Sequence, residues 1–185
     1  MNAHTSPVDT DRPLDNFTNC HVGIVAHLMA LDRLPALLEP ARQARTVAAE
    51  TLKFFDEVVR EHHAQEEREL FPAVLASAVR GEERDRVQVM VDRLTQEHRG
   101  VEAAFERIAP ALKAIAKGRD AELASPAVSA MVAGYLGHAG FEEQHFLPLA
   151  QTILGRNPNH MAALGISLHM RHSVPEFLSH FGHRV

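Results

Sequence analysis

Residues 62–72 and 138–148 carry one pattern twice. The first copy reads His62-x-x-x-Glu66-Glu67-x-x-Leu70-Phe71-Pro72, the second His138-x-x-x-Glu142-Glu143-x-x-Phe146-Leu147-Pro148. In a helix, positions four apart share a face. Each copy therefore sets an imidazole and a carboxylate one turn apart on a stripe whose other members are apolar. A chain that packs such stripes together must supply partners for the polar groups it buries.

The rest of the chain is punctuated for helices. Gly81 and Gly118 follow apolar-periodic runs and read as C-terminal stops. Ser125-Pro126 and Asn157-Pro158 each place a capping side chain before a proline suited to the first helical position. Glu39-Pro40 reads as a further break, and strand signals are nearly absent. The expected fold is all-α, an up-down-up-down four-helix bundle with a C-terminal helical tail. Its helices are predicted at 15–38, 42–79, 83–117 and 126–154, with a broken helical tail at 159–183. The domain reading is a flexible N-terminal segment at 1–14, the bundle at 15–155 and a helical extension at 156–185.

Core-facing positions can be marked along each helix. In the third, Val87, Val91, Leu94, His98, Val101, Phe105, Ile108, Leu112 and Ile115 alternate steps of four and three, the seam by which bundle helices pack. His98 is its one polar member. The fourth seam holds His138 and Glu142, the second His62 and Glu66, and the first His21 beside Ile24, Leu28 and Leu31. An unsatisfied buried polar group costs about 1–3 kcal/mol, and a domain's whole stability is about 5–15 kcal/mol. Four imidazoles and two carboxylates in mid-core therefore need strong mutual compensation, which metal ions supply. Imidazole with carboxylate suits iron, manganese or zinc, and the lack of thiolates argues against a soft-metal or iron–sulfur site. Helices 2 and 4 run in one direction in such a bundle, so equal spacing to the proline puts both His/Glu pairs at one depth. The geometry suggests two metals held by His21, His62, His98 and His138 and bridged by Glu66 and Glu142.

Over roughly residues 15–152 these motifs resemble the hemerythrin-like (HHE, cation-binding) domain family. The resemblance rests on His21-x-x-Ile24, the two His-x-x-x-Glu-Glu elements with their matching tails, and Glu97-His98 followed by Glu102. It implies a four-helix bundle around two iron ions, oxo- or hydroxo-bridged when oxidised, with zinc or manganese as substitutes and an open position for O2. The family also includes members that sense oxygen or iron, or act on NO and peroxide. Two departures stand out. Oxygen-carrying hemerythrins have a second histidine one turn after the helix 3 ligand, where Glu102 stands here; a further carboxylate there would close the open site or shift its potential. Their helix 4 carboxylate lies five residues after the histidine, at Glu143, whereas the spacing of four favours Glu142.

Around these six lie further candidates: Glu102 as an extra ligand or a flanking group, His27 beside the first seam, Glu67 and Glu143 as carboxylates that orient an imidazole, and Tyr135 on the face of His138. His63 falls one position off the seam and is expected to orient a ligand or face solvent. In the tail, His169 and His172 could share a helical face, and Leu164, Leu168, Phe177, Leu178 and Phe181 could drive a homodimer.

The totals narrow the function. Net charge is -5 without a Lys/Arg cluster, which speaks against nucleic acid. Cys20, the single cysteine, excludes an internal disulfide. No export signal or apolar run of about 20 residues is evident, so a cytoplasmic protein without a membrane partner is expected. The reading is a di-iron protein that binds O2 or a related diatomic (NO, peroxide) for storage, delivery or sensing, more a binding protein than an enzyme. The alternative is an enzyme reducing peroxide or NO, or donating iron for cluster repair, served by an external redox partner because the chain has no nucleotide-binding glycine fingerprint.

Overall fold

The computed structural model describes residues 13–156, with side chains from His21 onward. The N-terminal segment before residue 13, Asn157-Pro158, the expected tail with its histidines and the homodimer contact expected there lie outside the described residues. The described chain is all-α. Helix α1 spans Pro13–Phe54, α2 Arg60–Gln65, α3 Phe71–Ser77, α4 Glu82–Ala116, α5 Ser125–Phe141 and α6 Leu147–Leu154. Three π-helical turns join some of them end to end: π1 at Phe55–Val59 joins α1 to α2, π2 at Glu66–Leu70 joins α2 to α3, and π3 at Glu142–Phe146 joins α5 to α6.

The expected break at Glu39-Pro40 is absent. Helix α1 continues through both Pro35 and Pro40. Each proline lacks the N–H that would bond the carbonyl four residues back, on Leu31 and Ala36. All residues from 21 to 47 are exposed, so water can satisfy those carbonyls. Around Pro40 the turn is also tied by the Gln43 amide donating to Glu39 at 3.3 Å and by an Arg42–Glu39 ion pair.

The chain divides into two compact units, Met1–Val47 and Ala48–Val185. In the first, the apolar side chains expected on the helix 1 seam, Ile24, Leu28, Leu31 and Leu38 among them, are exposed. By length and composition alone, the helical stretch His21–Ser77 holds a window of mean hydropathy 1.3, apolar enough to cross a bilayer, against the sequence expectation that no such run exists. Core helices of soluble proteins pass the same test.

In the second unit the helices line up as three rods, 48–77, 82–116 and 125–154. Helix α4 begins after a tight turn at Gly81, whose φ of 96° only glycine adopts without strain. It ends in a Schellman motif: Gly118 (φ 68°) donates to Ile115 and Arg119 to Ala114. Both glycine stops fall where the sequence puts them. Helix α3 packs on α4 and α6, and α4 on α5. Since α3 and α6 each end their rod, the first and third rods run in the same direction.

The core of this unit is split in two. One apolar cluster joins Leu70, Phe71 and Val74 to Val87, Val91, Leu94, Phe146 and Ile153. The other joins Phe55 and Val59 to Val101, Phe105, Ile108 and Leu112, with Phe55 and Phe105 stacked 3.7 Å apart. The α4 seam is buried from Val87 to Leu112, as its four-three rhythm predicts. Between the two clusters along each rod lies a polar layer: His63 and Glu66 on the first, His98 on the second, His138 and Glu142 on the third, all buried.

Candidate metal centre

Local backbone geometry sets which side chains enter that layer. Pro72 and Pro148 lack an N–H, and their rings would press on the carbonyls of Arg68 and Gln144. The helix relieves this one residue earlier: Phe71 N–H bonds to Glu66 O and Leu147 N–H to Glu142 O, each five residues back. So π2 and π3 begin at the two glutamates, at matching places in the two copies of the pattern. In π1, Arg60 N–H likewise reaches Phe55 O. Counted at about 3.6 residues per turn from Phe55, the next inward positions fall near 59 and 62. The extra residue in π1 carries the second of these on to His63, which is 1 % exposed, while His62 is only half-buried.

Two groups of donors result. His63, His98 and His138 offer ligand atoms within 4.8 Å of one another, and so do His62, Glu66 and Glu142. The His63 and His98 rings stack at 4.0 Å between centroids, and the His138 ring meets His98 edge-on at 4.7 Å. Each of the three Nδ1 atoms faces a carboxylate: His63 donates to Glu102 at 3.0 Å, His98 to Glu67 at 2.9 Å and His138 to Glu97 at 3.4 Å. A carboxylate accepts, so the proton sits on Nδ1 and a lone pair sits on each Nε2. Those three Nε2 atoms and Glu66 Oε2 are buried without a hydrogen-bond partner among the described residues. Glu66 Oε2 lies 3.2 Å from His98 Nε2, and Glu66 Oε1 lies 3.3 Å from His62 Nε2. One carboxylate thus turns one oxygen toward each group.

The electrostatics follow from burial. Desolvation, with the Glu67 charge adding to it, pushes the Glu66 carboxyl up to about 7 even though a hydrogen bond from Glu142 favours its ionised form. Desolvation and the hydrogen bond and charge of Glu66 push Glu142 up to about 8. Two carboxyls facing each other away from water hold a proton between them. Burial drives His63 down to about 4, against the pull of Glu102, and drives His138 down as well. His63 and His138 are therefore neutral at physiological pH, the state in which they donate a lone pair.

Buried lone pairs on three imidazoles and a carboxylate, all aimed at one another, cost several kcal/mol with nothing between them. The donor chemistry fits a first-row transition-metal cation of borderline hardness. A family model described as the hemerythrin HHE cation-binding domain matches residues 12–150. The chain belongs to the hemerythrin HHE family. No curated protein and no solved structure matches the chain.

The residues expected to serve this hemerythrin HHE domain are placed as follows. His62, Glu66, His98, His138 and Glu142 fall in the two donor groups. His21 lies in the first unit and is exposed. His27, also exposed, donates from Nδ1 to Gly23 O at 3.1 Å. Glu67 and Glu102 accept from His98 and His63, so the carboxylate read as an extra ligand or flank is turned toward an imidazole Nδ1. Glu143 is exposed, outside both groups. Tyr135 is half-buried, its ring 6.5 Å from His63 and 5.9 Å from His138. His63, read as orienting or solvent-facing, is instead buried within the layer, and Glu97 supports His138. The signal for His63 was the doublet His62-His63, which supplies an imidazole at either helical register.

Proposed function

We propose that this hemerythrin HHE domain holds two iron ions in its polar layer and binds O2 or a related small diatomic there. The observation that carries the reading is the convergence of three orphaned Nε2 lone pairs with a two-faced carboxylate. His63, His98 and His138 hold one ion; His62 and Glu142 hold the other; Glu66 serves both. The iron pair supplies the redox chemistry and an open position for a diatomic. The chain keeps His63 and His138 neutral, fixes the tautomers of His63, His98 and His138 through three glutamates, and shields the layer from water with Phe71 on one side and Tyr135 on the other, Phe71 stacking 5.9 Å from His98.

The four-helix bundle belongs to this reading, and so does His21 as a further metal ligand. The exposed apolar side chains between Val22 and Leu38 support it, because a bundle would bury such a face. A cytoplasmic site of action and an external redox partner are part of the same proposal. The second reading, an enzyme reducing peroxide or NO, draws support from Tyr135. Its ring lies 6.5 Å from His63 and 5.9 Å from His138, which puts a phenol beside the layer.

Elemental analysis and an absorption spectrum of the aerobically purified protein test the proposal. About two iron ions per chain with near-ultraviolet charge-transfer bands support it; zinc alone, or no metal, overturns it. Spectral changes that reverse when O2 is removed favour the binding protein, and sustained peroxide or NO consumption with a reductant favours the enzyme.

A further inference from the structure

Each inward imidazole is backed by a glutamate, and each of those glutamates is backed by an arginine. Glu97 accepts from Arg93 Nε at 2.7 Å, and the Arg93 guanidinium lies over the Phe141 ring. Glu67 is gripped by Arg99 Nη2 through its second oxygen. Arg99 Nη1 also reaches Glu102 Oε1 at 3.6 Å, on the oxygen that accepts from His63. Arg60 Nη1 stands 3.9 Å from the other Glu102 oxygen, and Arg60 is tied in turn to Asp56 and Glu106. One guanidinium thus spans the carboxylates behind the two stacked imidazoles.

The geometry points to Arg99 as the positioning residue that sets the orientation and donor strength of His98 and His63 together, and this rests on the metal-holding role proposed above. A carboxylate held by a guanidinium is fixed in place and is a weaker acceptor, so it orients the imidazole without stripping its proton. Freed of Arg99, Glu67 swings toward solvent and His98 loses its brace. Glu102 keeps Arg60, so His63 is disturbed less. His138 answers to Arg93 and Glu97 and is not disturbed. The arrangement makes the three imidazoles separable.

Cobalt(II) loading of the full-length protein, followed by proton NMR, tests this. The exchangeable Nδ1–H signals of metal-bound histidines are displaced far from the ordinary range and can be counted one by one. In Arg99→Ala the His98 signal should shift most and exchange fastest, the His63 signal less, and the His138 signal should stay. The cobalt dissociation constant should rise about tenfold, within the range for loss of an outer carboxylate partner. Arg99→Lys should restore part of the shift, Arg93→Ala should move the His138 signal instead, and Arg68→Ala, which frees only Glu61, should move none. Three unchanged signals in Arg99→Ala, or three moving together, overturn the role of Arg99 while leaving the metal site standing. A wild-type protein with no displaced signal removes the metal site itself, and the inference with it.

Discussion

His63 and His98 lie face to face, ring planes 7° from parallel, yet each gives its Nδ1 proton to a different glutamate, Glu102 for the first and Glu67 for the second. Stacked rings with separate anchors cannot turn to satisfy each other. Their Nε2 atoms stay aimed into the layer.

His63→Ala should therefore remove one ion and spare the other. Metal content should fall from about two ions per chain to about one, with Glu66 and His62 still engaged. His27→Ala, an exposed change in the first unit, should leave the content unaltered. Elemental analysis of the two variants side by side checks this.

Metal uptake should strengthen as pH rises from about 6 to about 8. Glu66 and Glu142 hold protons up to about 7 and about 8, and a cation must displace them. Stability of the metal-free protein should run the other way. A carboxyl raised in the folded state favours folding below its unfolded value, near 4.5, and that advantage is lost as pH climbs through the folded value. His63, lowered from 6.5 to about 4, has the opposite slope, stabilising above 6.5 and losing that as pH falls toward 4. The two slopes oppose each other below 6.5, so the net decline should show between pH 6.5 and 8. Denaturant midpoints of chelator-treated protein across that window should fall; a rise there contradicts the assignment.

Glu142→Gln should separate stability from function. Removing a carboxyl that faces Glu66 away from water should stabilise the metal-free chain at pH 8. The same change removes a donor and should weaken metal binding by at least tenfold. Thermal melts with and without metal measure both effects on one sample.

Two glycines give a control on the scaffold. At Gly81 the added methyl of alanine meets nothing within 4 Å, so the cost is that of φ 96° alone, about 1–3 kcal/mol. At Gly100, in mid-helix and also open, alanine should stabilise by about 0.5–1 kcal/mol. Neither should change metal content. Urea unfolding of the two variants reads the opposite signs.

The sequence makes the layer legible because its polar residues interrupt seams that are otherwise apolar. His98 between Leu94 and Val101, and His138 with Glu142, need only the helical period to be placed. The glycine stops at 81 and 118 are equally readable, since few residues other than glycine take those dihedrals. Register through π1 is not readable, because nothing in Phe55–Val59 announces an extra residue; without it the deeper burial of His63 beside the half-buried His62 is hidden. Pro72 and Pro148, six residues after Glu66 and Glu142, do mark π2 and π3. The continuity of α1 through Pro35 and Pro40 is hidden for a different reason. Proline removes one hydrogen bond and crowds the carbonyl four residues back, and along this exposed stretch water can take up the carbonyl that the helix releases.

Each π turn is one residue longer than an ordinary helix needs; two of them begin at the donors Glu66 and Glu142, and π1 precedes His62 and His63. Deleting a single codon within 66–70 or within 142–146 would swing everything on one side of it by about 100° against the other, separating the glutamate from its apolar and proline neighbours. An unremarkable bundle of greasy rods could gain a cation-holding layer by taking in two residues along its first rod and one along its third, and would lose it by giving one back.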